Sequence, residues 1–157
     1  MSSCNINNKD VNNFDLQEVQ RSIIKKYRSK LWTPFIKGVK EYNMINDGDH
    51  IAVCISGGKD SLVLAKLLQE MQAHTNTNFK LSFISMDPGF NQENKDLLLD
   101  TCNKLGIDVD IFETEIFDIV EKIAKDYPCF MCAKMRRGAL YSYAEKIGAN
   151  KKALGHH

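Results

Sequence analysis

Six consecutive residues, Ser56-Gly57-Gly58-Lys59-Asp60-Ser61, hold the densest chemistry in the chain. They follow a short apolar run, Ile51 to Ile55, and precede a helical pattern from Leu62 to Met71. Strand, glycine-rich turn and helix start together make an anion site. Two adjacent glycines can take positive φ and let an anion come close to the backbone. The amides of a helix's first turn lack internal partners, and the helix dipole adds partial positive charge there. Lys59 supplies a full charge and Ser61 a hydroxyl. Asp60 would repel a phosphate unless a cation lay between them, so the set reads as a site for nucleotide phosphates with Mg²⁺. It is not a Walker A loop, because Val53 and Asp60 stand where that motif needs Gly and Ser or Thr. No G-x-G-x-x-G occurs. A plain Gly-Gly turn beside a solvated lysine would not explain the strand and helix that flank it.

A second reactive set is Cys129-Phe130-Met131-Cys132, placed just before an expected helix and close to Lys134, Arg136 and Arg137. A helix start and neighbouring cations both favour thiolate, hence metal binding or sulfur chemistry. A labile disulfide or two buried thiols are the plainer alternatives. Arg136 and Arg137 could hold phosphates by bidentate geometry, or form solvated ion pairs. Asp87 ends an apolar run and could reach Mg²⁺ or a ribose hydroxyl, or simply start a turn with Pro88 and Gly89. Cys54 and Cys102 read as small core residues. His50 and His74 belong to no constellation and are expected to face solvent.

The elements that must position these residues alternate. Strands are expected over 51–55, 79–86, 107–112 and from Lys152 to Gly155. Helices are expected over 60–71, from Phe90 or Asn91 to Leu105, over 116–126 and over 132–147. Such alternation implies a parallel sheet with right-handed crossovers, covered on both faces. Ligands of these sheets bind at the carboxyl ends of the strands. Ser56, Asp87 and the pair His156-His157 all fall at such ends. Upstream, residues 1–14 are Asn-rich and read as a flexible tail. Residues 15–45 read as a basic helical segment, in which Val19, Ile23, Ile24, Tyr27 and Leu31 form one apolar stripe and Pro34 restarts the helix. Residues 46–157 form the α/β domain.

Composition narrows the class. A chain of 157 residues is one domain by length and can bury a core without disulfides. Five cysteines and no secretory signal argue against a disulfide scaffold. No apolar stretch could span a bilayer, so no membrane partner is expected and a cytoplasmic protein is the plain reading. The formal net charge is only +1. The charge is nevertheless uneven: from Val19 to Lys40 there is no acidic residue, while Arg21, Lys25, Lys26, Arg28, Lys30, Lys37 and Lys40 fall there. Such a run is either a solvated face or a track for an RNA backbone.

These motifs resemble a family. "SGGKDS" is similar to the pyrophosphate loop of ATP pyrophosphatases. "YNMINDGDHIAVCISGGKDS", "PGF", "CFMCAKMRRGALY" and "ALGHH" resemble, in order over about residues 20–157, the tRNA 2-thiocytidine synthetases of the TtcA type. The resemblance implies an adenine nucleotide α-hydrolase-like, Rossmann-like parallel sheet. It implies ATP and Mg²⁺ on residues 56–61, with Lys59 and Asp60 catalytic. The backbone of Ser85 and Met86, with Asp87, Gly155 and His156, would complete the nucleotide site. It also implies that Cys129 and Cys132 ligate a [4Fe–4S] cluster with a third cysteine outside this chain. The implied reaction adenylylates O2 of an anticodon-loop cytidine in tRNA and replaces it with sulfur from a cysteine desulfurase persulfide or from sulfide. A homodimer is a further implied partner. Family members continue past the His-His pair, so the sheet here is expected to be incomplete. Lysidine synthetases share the loop but do not require the Cys-x-x-Cys. Uridine thiolases usually carry an N-terminal cysteine-rich module, whereas residues 1–50 hold one cysteine. A noncatalytic ATP- or metal-binding module is the alternative from another class.

Overall fold

The computed structural model describes residues 15–87, 92–113 and 129–155, with backbone alone for 129–133. The expected tail over 1–14, the turn at Pro88 to Phe90, the expected helix over 116–126 and the pair His156-His157 lie outside the described residues.

Among the described residues, four parallel strands form one sheet in the order β3-β2-β1-β4. They are β1 (His50–Cys54), β2 (Lys80–Asp87), β3 (Val109–Glu113) and β4 (Lys151–Leu154). The helices are α1 (Leu16–Arg21), α2 (Thr33–Glu41), α3 (Lys59–His74), α4 (Gln92–Lys104) and α5 (Cys129–Lys146). The α/β parallel fold expected from the alternating pattern is therefore present.

The unbroken apolar run of β1 has a two-sided cause. Side chains alternate across a strand. Ile51, Val53 and Ile55 enter one core with Ala65, Leu68 and Met71 of α3 and Leu98 and Cys102 of α4. Ala52 and Cys54 enter a second core with Ile84 of β2 and Ala144 of α5. Both cysteines expected to be core residues are buried, and burial pushes the Cys54 thiol up to about 11.

Several boundaries differ from the sequence expectation. Helix α3 runs three residues past Met71, ending where the Thr75 hydroxyl donates to the Met71 carbonyl at 2.8 Å. Ile107 is buried but precedes β3, because its amide closes the end of α4 by donating to the Cys102 carbonyl at 2.8 Å. His50 does not simply face solvent: its Nε2 lies 2.7 Å from Ser82 Oγ across the β1–β2 ladder. The segment between α1 and α2 is not a continuous α-helix. It consists of two π-helical turns, Ser22–Lys26 and Arg28–Trp32, separated by Tyr27. This wider winding breaks the expected apolar stripe. Ile23 stays buried, whereas Tyr27 is turned outward and is 42% exposed. Pro34 sits in the first turn of α2, where a missing amide costs nothing.

One buried carboxylate fastens the sheet entrance. Asp49 lies 2.5 Å from Lys151 Nζ, and it accepts from the Asn46 amide and the Asn150 side chain, both at 2.8 Å. The Lys151 ammonium first, then those two donors, hold its carboxyl down from 3.8 to about 2. A depressed folded-state pKa contributes stability that is present above about pH 4 and lost as pH falls through about 2. Asp49→Asn is therefore expected to lower Tm at pH 7, and the gap from the parent should close as acid titrates Asp49. Thermal denaturation from pH 7 to pH 2 checks this; a gap that does not change with pH would refute the assignment.

Candidate nucleotide site and sulfur-handling segment

The sheet order sets where a ligand can lie. β2 adds to one side of β1 and β4 to the other, so the chain reverses direction across the sheet between β1 and β4. A crevice opens at the carboxyl ends of the strands at such a point. The loop over 56–58 leaves β1 there, and Gly155 ends β4 beside it.

The loop is built by its serines and glycines. Gly57 takes φ +86°, a conformation that L side chains rarely adopt. A Cβ at Gly57 would make only ordinary contact, 3.6 Å from Leu98 of α4, so the backbone conformation and not crowding calls for glycine there. Gly58 is the N-cap of α3 and offers no side chain to its first-turn amides. No N-cap side chain covers that end of the helix, and its dipole favours an anion there. Ser61 is buried at 1% exposure. Its hydroxyl donates to the Gly58 carbonyl at 2.9 Å and accepts from the Ser56 amide and the Ser56 hydroxyl, each at 3.2 Å. In this structure the Ser61 hydroxyl is thus spent inside the loop, where it holds the bend. Lys59 is exposed at the mouth.

Gly155, expected at the nucleotide site, also has a packing role that sequence reasoning did not assign. A Cβ on it would stand 2.8 Å from both Cα and N of Ser61 and 2.9 Å from the Asp60 carbonyl carbon. The end of β4 therefore lies directly against the backbone that starts α3. The signal in the sequence was a glycine immediately after a strand, which marks a close approach as readily as a turn.

Asp87 ends β2, the strand next to β1, and is buried at 9% exposure. Lys95 of α4 pairs with it at 3.9 Å. Lys95 was also missed by the motif reading. Met86 is half-buried and Ser85 buried at the same strand end.

The helix that bears the cysteines starts earlier than expected: α5 begins at Cys129 rather than at Cys132, so both cysteines lie in its first turn. Residues three apart on a helix share a face. α5 covers one face of the sheet through Ala144 and leads into the parallel strand β4. Such a helix starts at the carboxyl end of the strands. Topology thus sets the two cysteines at the same end of the sheet as the loop. Lys134, Arg136 and Arg137 follow on exposed positions. Among the described residues no group of three or more His, Cys, Asp or Glu could hold a metal ion by itself. No described helix is long and apolar enough to cross a membrane.

A parallel sheet flanked by helices, with a glycine-serine loop at its reversal point, defines a Rossmann-like α/β fold. Solved structures agree: the U34-tRNA thiolase NcsA from Methanococcus maripaludis, described with its [4Fe-4S] cluster, superposes with a TM-score of 0.60 at 26% identity, over 81% of this chain and 46% of that one. In sequence the chain is homologous to proteins named tRNA-cytidine(32) 2-sulfurtransferase. It is 40% identical to that of Marinomonas sp. (strain MWYL1) over 77% of this chain and 44% of the relative. It is 38% identical to that of Alcanivorax borkumensis over 88% and 49%. The chain spans about half the length of the curated relatives it matches. No family model matches it.

Proposed function

We propose that this chain carries the ATP-activating part, and two of the cluster-ligating cysteines, of a tRNA sulfurtransferase that makes 2-thiocytidine. The observation that carries the reading is the Ser56–Ser61 loop, closed by Gly155 at the sheet's reversal point. The 38–40% identity to cytidine sulfurtransferases supports the choice of base.

ATP would lie with its β- and γ-phosphates on the loop amides, and Asp60 would face the Mg²⁺ they share. O2 of the cytidine attacks the α-phosphorus, and the bond to the bridging oxygen breaks. Charge develops on the departing pyrophosphate, where Lys59 and the first-turn amides of α3 stabilise it. Asp87 and the backbone of Ser85 and Met86 would position the adenosine, with His156 near the α-phosphate. The adenylate turns a poor leaving oxygen into AMP. Cys129 and Cys132 would supply two thiolates to a [4Fe–4S] cluster, which needs further ligands; the chemistry it would supply is to hold the sulfide that replaces the oxygen. Two thiols on one helical turn beside three cations fit that demand.

The test is nucleoside mass spectrometry of tRNA from cells lacking the gene, complemented with the parent gene or with Cys129→Ser or Cys132→Ser. The parent should restore 2-thiocytidine, and each serine variant should leave it at background. Full 2-thiocytidine in the deletion strain would remove the substrate assignment. A missing 2-thiouridine instead would move the same chemistry to uridine.

A further inference from the structure

Tyr27 stands where regular helical spacing would have buried it. It lies four residues after Ile23, which is buried, yet it is one of the large exposed apolar side chains. The cause is local. Its amide donates to the Ser22 carbonyl at 2.8 Å, a π-type closure, and a second π turn begins directly after it. Widened turns of this kind are frequent at functional sites. Around it Lys25, Lys26, Arg28 and Lys30 are all exposed. Lys26 Nζ sits over the Tyr27 ring, 5.4 Å from its centroid. Arg21, Lys25 and Lys26 also line a hollow with Ser22, and Asp15 and Glu18 line it at the N-terminal end of the segment.

We infer that this segment is a stacking platform for an unpaired RNA base, with Tyr27 as the platform and the flanking cations as phosphate contacts. It rests on the reading of tRNA as substrate and deepens it. The π turns carry the ring out of the core. Lys26 covers one ring face, and with 42% of the residue exposed the ring keeps surface on which a base can stack. Single-stranded RNA is bound by just this pairing of exposed aromatic faces with a cationic track, whereas duplex RNA offers phosphates but no free base face. The acidic pair Asp15 and Glu18 repels a backbone at one end of the hollow, which directs phosphates toward Lys25 and Lys26.

The test measures fluorescence anisotropy of two labelled RNAs of equal length, a hairpin with an unpaired loop and a blunt duplex, titrated with the full-length protein at several salt concentrations. Tyr27→Ala should weaken hairpin binding about tenfold and leave duplex binding and the salt slope unchanged. Tyr27→Phe should keep hairpin affinity. Lys25→Ala with Lys26→Ala should lower the salt slope by about one to two for both RNAs. Unchanged hairpin affinity in Tyr27→Ala, or equal losses on both RNAs, would overturn the platform. So would Tyr27-dependent binding to acidic phospholipid vesicles with none to RNA. ATP binding and thiolation are followed on the same samples. Tyr27-dependent hairpin binding without thiolation keeps the platform and removes the sulfur-transfer reading; thiolation with Tyr27-independent binding does the reverse.

Discussion

Replacing Lys59 with alanine is expected to cut the rate of 2-thiocytidine formation about 100-fold or more, with no loss of fold. Lys59 is exposed at the start of α3 and buries nothing in either core. Its removal therefore leaves packing intact. In the proposed reaction it meets charge that is larger in the transition state than in bound ATP, and deleting one such preorganised donor typically costs about 10²–10³ in rate. The effect should appear in pyrophosphate release as strongly as in thiolation, because adenylylation comes first. Single-turnover assays with labelled ATP and tRNA check both steps. A variant that thiolates at the parent rate would take Lys59 out of the chemistry, and with it the catalytic reading of the loop.

The second large effect is steric. Gly155→Ala places a methyl carbon 2.8 Å from two backbone atoms of Ser61 and 2.9 Å from a third atom in Asp60. Backbone cannot swing aside as a side chain can, so either β4 or the start of α3 must move. Overpacking of this kind costs about 1–3 kcal/mol. The displacement falls on the amides proposed to hold pyrophosphate, and small misplacements of positioning groups are costly in rate. Thiolation is expected to fall at least about tenfold, with a lower Tm. Gly138→Ala is the control. Nothing lies within 4 Å of the added carbon there, and alanine is the better helix former within α5. That variant should match or exceed the parent in Tm. Equal Tm for the two alanine variants would show that the close approach at Gly155 is not real.

The residues that were legible share a property: their meaning is local. Ile51 to Ile55 is an apolar run too short for a helix and too continuous for a one-sided strand, so it reads as a buried parallel strand, and all but Ile55 of it lies in β1, which starts one residue earlier at His50. Gly57 sits in a turn between that strand and a helix, and its positive φ follows from that place. Other residues took their meaning from contacts distant in sequence. Gly155 is tight only because α3, almost a hundred positions earlier, starts against it. Lys66 looks like a surface lysine of an amphipathic helix, yet it is buried because the Leu105 carbonyl, at the end of α4, accepts from its Nζ at 2.8 Å. Lys95 met Asp87 only once α4 had packed beside β2. Tyr27 failed for a different reason. The stripe rule presumes 3.6 residues per turn, and the two π turns violate it.

The sequence by itself determined the strand–loop–helix unit, the parallel alternation and the spacing of Cys129 and Cys132 by one helical turn, since each depends on residue types a few positions apart. Only the tertiary structure decided that Ser61 spends its hydroxyl on the loop, that β4 closes the loop through Gly155, and that the cysteine-bearing turn starts at the loop's end of the sheet. Those facts depend on strand order and on how helices cross the sheet, which are settled by burying two faces of one sheet at once rather than by any single stretch of chain.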